Sequence, residues 1–192
     1  VALAIEEMKP WYVGKDPLGL IEPSRRQFLA NTFAARIRYA AVSGIEQALW
    51  DIAGKAVGQP VHVLLGGAVR DRIQLYANLS QATPSRSPED LAETAARAVA
   101  DGFKGVKIYP FPQGPEVAPN RGTALTNDER DLAEARIKAV REAIGPDIAL
   151  HTDWAWTVPP PDAAQMAERL RPYNLFWIEE PLHPQDIEGF AR

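Results

Sequence analysis

The sequence predicts an α/β chain that forms the first half of a parallel (β/α) barrel of the TIM type, about four βα units, behind a helical region. Three observations predict it. From Gln74 onward, short apolar runs alternate with capped helical stretches, the pattern of βα repeats and a parallel sheet. The strands begin at 74, 105, 148 and 176, far enough apart for a helix to return between each pair. Two of the runs, IALHTD (148–153) and FWIEEP (176–181), are apolar and then end in carboxylate. An eight-stranded barrel takes about 250 residues, so 192 residues with a helical lead-in hold roughly half of one. An open doubly wound sheet is the alternative, weakened because no Gly-rich nucleotide loop follows any strand.

Residues 1–73 read as helical, with Ala-rich stretches broken by GKDPLGLIEPS and by GQP. Ile45, Ala48, Leu49, Ile52 and Ala56 fall at helical spacing before Gly58 and Pro60 stop the run. The first βα unit is strand 74–80 and a helix opened by Ser87 and Pro88 and closed at Asp101-Gly102. The second is strand 105–110, a Pro/Gly-rich loop from Phe111 to Leu125, and a helix whose Thr126 and Glu129 have the spacing of a capping box. In that helix Ala133, Ile137, Val140 and Ile144 share one face, and Gly145-Pro146 ends it. The loop is long enough to be functional. Strand 148–153, the loop WAWTVPPP and a helix from about Asp162 to Arg171 make the third unit; strand 176–181 begins the fourth.

With 46% hydrophobic and 24% charged residues the chain is globular in class. A net charge of −4 and the lack of any Lys/Arg-rich run argue against nucleic acid as a partner. No apolar run is long enough to span a membrane, and the absence of cysteine excludes disulfides, thiolate metal sites and cysteine nucleophiles. The expectation is a cytoplasmic protein. The sequence does not begin with Met, and its last residues, DIEGFAR, read as the first turns of a helix, so a longer parent chain is expected.

The candidate site follows from the carboxylates. An ionised carboxylate at the end of a buried strand is costly unless paired or metal-bound. In parallel α/β folds the carboxyl ends of strands converge on the site, which brings Asp153 and Glu179 to one mouth and suits a hard cation such as Mg²⁺. The competing reading is a helix-capping aspartate and a solvated glutamate. His151 lies two residues before Asp153, on the same side of the strand, and is either part of the site or a core histidine. Trp154 and Trp156 either line a sugar-binding mouth or pack.

GIEQALWDIAGKAVGQPVHVLLGG (44–67), GFKGVKIYPF (102–111) and WIEEPL (177–182) resemble passages of the mandelate racemase and muconate-lactonising branch of the enolase superfamily. Asp153 and Glu179, at positions 153 and 179, also match the interval between that family's first two metal ligands. The resemblance implies that 1–73 is the helical end of an α+β capping domain with its linker, and 74–192 the N-terminal half of the barrel. It implies Mg²⁺ at Asp153 and Glu179, a substrate carboxylate at Lys107, and Tyr109 where the family's second lysine, its usual base, would stand. The expected base is then a histidine of a later strand, paired with an aspartate, and the third metal ligand also lies beyond this sequence. Where several relatives carry an acid histidine after the metal-binding aspartate, this sequence has Ala155, which leaves Tyr109 as a candidate acid. The activity implied is dehydration of a small sugar acid to a 2-keto-3-deoxy acid, in an intact protein expected to be a homo-oligomer. A racemase, epimerase or cycloisomerase of the same branch is the alternative, and a non-catalytic half-barrel is the second.

Overall fold

The computed structural model describes residues 1–19, 35–111 and 124–191. The chain divides into two compact units, Val1–Arg72 and Ile73–Arg192. In the first, helix α1 (Ala2–Tyr12) lays Ala4 and Met8 against Ala41 and Val42 of α2 (Ala35–Val57). Arg38 donates to Glu7 at 3.2 Å along the same seam. Gly58, with φ +66°, ends α2, and a short helix α3 (Val61–Leu64) follows Pro60.

The second unit is a four-stranded parallel sheet in the order β1-β2-β3-β4, formed by Ala77–Asn78, Gly105–Ile108, Ala149–Asp153 and Trp177–Glu179. Each strand is shorter than its apolar run, because the ladder stops where the backbone turns into a loop. Glu180, at φ +47°, ends β4. The run from Gln74 pairs only at Ala77 and Asn78. Between the strands run α4 (Pro88–Ala100), α5 (Asn127–Ile144) and α6 (Pro160–Leu170), and α7 (Ile187–Phe190) follows β4.

The helix starts follow the sequence. Ser87 Oγ accepts from the Asp90 N–H at 3.1 Å, with Pro88 as the first helical residue. Thr126 and Glu129 satisfy each other's backbone N–H groups as a full capping box. α6 starts at Pro160, two residues before the expected Asp162, because the prolines at its first turn carry no N–H to leave unpaired. Asp162 is instead buried and accepts from the Leu125 N–H and from the Arg130 guanidinium. Most of the long loop from Phe111 to Leu125 lies outside the described residues.

Alternation along the strands sorts the side chains. Val106, Ile108 and Leu150 point to the helices and join Leu91, Ala95, Ile137, Val140, Met166 and Leu170 in the core. Truncating such a side chain to alanine costs about 2–5 kcal/mol. On the opposite face, register sets Lys107 beside His151, His151 beside Trp177, and Asp153 beside Glu179. Arg141 fixes the other end of the sheet, donating to the carbonyls of Gly145, Ile148, Tyr173 and Asn174 at 2.8–3.0 Å.

Candidate active site

Lys107, on β2, carries its ammonium across two strands. Its own register partner is His151, but the side chain extends to the strand ends, where Nζ donates to Glu179 Oε2 at 2.9 Å and to Asp153 Oδ2 at 3.2 Å. The Lys107 and Asp153 side chains are only 7% and 6% exposed. Burial opposes the charge on Lys107, yet the hydrogen bonds to Glu179 and Asp153 and their negative charges outweigh it and hold the pKa above the usual lysine value. Asp153 is fixed from the other side as well, since its Oδ1 accepts from the Ala155 N–H at 3.0 Å.

The loop behind Asp153 is bent unusually. Ala155 and Trp156 have φ of +48° and +57°, and Glu180, after the other carboxylate, has +47°. Left-handed backbone at three non-glycine residues is strained and tends to collect at functional sites. The Trp154 and Trp156 N–H groups donate to the Glu179 and Glu180 carbonyls at 2.9 and 3.1 Å. These bonds tie the end of β3 to the end of β4 and keep the two carboxylates together.

Tyr109 sits at the same rim, half-buried, with its N–H donating to Ser80 Oγ at 2.8 Å and its ring 5.7 Å from the Lys107 ammonium. Burial, and the Asp153 carboxylate as hydrogen-bond partner and as charge, raise the phenol pKa above 10; Lys107 and Asn78 pull it down by less. Tyr109 therefore stays a protonated phenol at neutral pH, with a proton available to a hydrogen bond.

Trp154 requires a correction. It is 1% exposed on the helix side of the sheet, edge-on to Phe111 at 5.2 Å, with Nε1 donating to Thr152 Oγ1 at 3.2 Å. Its parity along β3 puts it opposite Asp153, so it packs and lines no mouth. Trp156 stays on the loop at the strand ends, half-buried and edge-on to His183 at 5.6 Å. His151 lies beneath the carboxylates, stacked on Trp177 at 3.9 Å with Tyr76 and Phe176 around it. Burial first and the Lys107 charge second push its pKa down, and its buried Nδ1 has no partner. It belongs to an aromatic layer under the site and contacts neither carboxylate by a hydrogen bond.

Asn78 and Ser80, at the end of β1, contact Tyr109 without having been anticipated. The signal was present in polar residues two apart after an apolar run. Arg86 and Arg136 had no such signal. Arg86 donates to the Tyr109 and Phe111 carbonyls at 2.5 and 3.3 Å, and Arg136 to the Pro110 and Arg86 carbonyls at 2.7 and 2.6 Å, fixing the end of β2.

The donor set suits a hard divalent cation. Two carboxylates from adjacent strand ends already share one positive charge, and no other described residue joins them in a group of three or more acidic or histidine ligands.

A parallel βα sheet with two acids and a lysine gathered at its carboxyl end puts those residues where α/β folds of this class hold their active sites. Residues 90–192 match the enolase C-terminal domain-like family, and residues 1–66 match the mandelate racemase / muconate lactonizing enzyme N-terminal domain. The chain belongs to the mandelate racemase and muconate lactonizing enzyme family of the enolase superfamily. It is 34% identical over 197 residues to a D-gluconate dehydratase of Thermoproteus tenax, covering 100% of this chain and 37% of that one. It is 32% identical over 193 residues to a D-galactonate dehydratase of Ralstonia pickettii, covering 100% and 48%. Among solved structures, a mandelate racemase/muconate lactonizing enzyme-like protein from Rubrobacter xylanophilus superposes with a TM-score of 0.83 at 31% identity, covering 98% of this chain and 52% of that one. A 3,6-anhydro-D-galactonate cycloisomerase from Zobellia galactanivorans gives a TM-score of 0.78 at 30% identity, covering 99% and 49%. The chain thus spans about half, or less, of the length of the relatives it matches.

Proposed function

We propose that in the full-length protein this chain supplies two metal ligands and the carboxylate-binding lysine of a Mg²⁺-dependent enzyme that dehydrates a sugar acid to a 2-keto-3-deoxy acid. The observation that carries the reading is the Lys107 ammonium held between Asp153 and Glu179 at the carboxyl ends of adjacent strands. The likeness to gluconate and galactonate dehydratases supports the choice of substrate class.

Removing a proton α to a carboxylate places a second negative charge on the substrate, so the step needs fixed positive charge nearby. Mg²⁺, held by Asp153 and Glu179, would supply Lewis-acid stabilisation of that charge when bound. Lys107 contributes its ammonium to the substrate carboxylate. Tyr109 is too weakly acidic to be ionised at neutral pH, which excludes it as the base and leaves it a proton to give. The base takes the α-proton, the β-hydroxyl leaves as water after accepting a proton, and the resulting enol becomes the ketone. The only products are the keto acid and one water. Trp156, at the rim, is the remaining aromatic candidate for contact with the sugar chain.

The test is the full-length protein assayed with aldonic acids. Lys107→Met and Asp153→Asn should each lower kcat/KM by about 100-fold or more, since one group stabilising developing charge is worth about 3–4 kcal/mol. A chelator should abolish turnover and Mg²⁺ restore it. Near-normal turnover in either variant would remove that residue from the site.

A further inference from the structure

In this structure Lys107 does something a substrate carboxylate does not account for. Its ammonium occupies the position between Asp153 Oδ2 and Glu179 Oε2, at 3.2 and 2.9 Å, where a cation shared by the two acids would lie. Asp153 Oδ1 accepts from the Ala155 N–H, and Oδ2 is the oxygen turned to the ammonium. With Asp153 buried and Glu179 its register partner, two like charges would face each other if that position were empty. The Tyr76 and Tyr109 rings lie 5.6 and 5.7 Å from Nζ, within range of a cation–π attraction for the ammonium.

We infer that Lys107 is a positioning residue for the two carboxylates: its ammonium holds them together in the metal-free protein and yields its place when a divalent cation takes the same two oxygens. The inference rests on the reading of Asp153 and Glu179 as metal ligands. The consequence is that Lys107 competes with the metal and weakens its binding.

Calorimetric titration of Mg²⁺ into the metal-free full-length protein tests this, using wild type, Lys107→Met and an Asp153→Asn/Glu179→Gln double variant. Releasing the oxygens from two charge-assisted hydrogen bonds should raise the Mg²⁺ affinity of Lys107→Met by about tenfold. The same variant should melt at a lower temperature than wild type without metal and recover most of the difference when saturated with Mg²⁺. Lys107→Gln, which keeps a neutral donor between the acids, supplies the affinity if the Met variant does not fold without metal. Loss of Mg²⁺ binding in the double variant, together with wild-type or weaker affinity in the Lys107 variants, overturns the inference and leaves the metal site standing. Undiminished Mg²⁺ binding in the double variant removes the metal site and the inference together.

Discussion

At position 105 the absence of a side chain lets His151 lie flat on Trp177. A Cβ there would stand 2.9 Å from His151 Nε2 and 3.2 Å from the Tyr76 Cβ. The ring is stacked on Trp177 at 3.9 Å and buried, so it has little room to retreat. Gly105→Ala should therefore destabilise the full-length protein by about 1–3 kcal/mol, as overpacking does, read as a lowered midpoint in urea. An unchanged midpoint would mean that the aromatic layer gives way freely. Single residues also show where sequence and structure part. Asp153, Glu179 and Lys107 meet because strand parity and register bring them together, and parity is legible. The same parity turns Trp154 to the helix side, where it is buried against Phe111. An aromatic residue directly after a strand-end acid invites the opposite reading, because the loop bend that follows it at Ala155 and Trp156 leaves no mark in the residue types.

Pairs of elements were legible wherever local chemistry sets them. The Ser87 and Thr126 caps, the Gly145 stop and the core stripe of α5 are all local signals, and the helices form there. Strand ends were less legible, since pairing depends on partners distant in sequence; only two residues of the run from Gln74 join the ladder. The clamps between elements left no pattern either. Glu134 on α5 accepts from the Tyr173 hydroxyl at 2.8 Å and from Arg169 Nε at 2.6 Å, joining α5 to α6 and the turn after it. The Tyr173 hydrogen bond first, and Arg169 after it, lower the Glu134 pKa below 4.5 against the opposing effect of burial. A carboxyl with a lowered pKa in the folded state releases its proton on folding. Its contribution is thus present above about pH 4.5 and is lost as pH falls through the lowered value. Glu134→Gln should cost about 1–2 kcal/mol at neutral pH and give a flatter decline of stability below pH 4.5 than wild type. Two curves that stay parallel through acid would show that the Tyr173 and Arg169 contacts do not depend on the charge.

For the whole molecule, the parallel βα architecture was readable from apolar runs that alternate with capped helices, and the family from the likeness of three short passages. The reaction is decided by less. In the proposed reading Tyr109 stands where a two-base enzyme would need a second lysine, and burial and the neighbouring Asp153 raise its pKa and keep the phenol protonated. A racemase needs a competent base on each face of the α-carbon, whereas a dehydratase can work with one base and an acid. A 3,6-anhydro-D-galactonate cycloisomerase shares the fold, so an isomerase is the alternative to be tested. The decisive measurement is product analysis of the full-length protein incubated with Mg²⁺ and a panel of mono- and diacid sugars, using semicarbazide to detect 2-keto acids. The expected product is a 2-keto-3-deoxy acid from at least one member of the panel, formed with one water lost per turnover. If no keto acid forms while the α-carbon of some substrate exchanges its proton in D₂O with inversion, the protein is an isomerase and the dehydratase assignment is wrong.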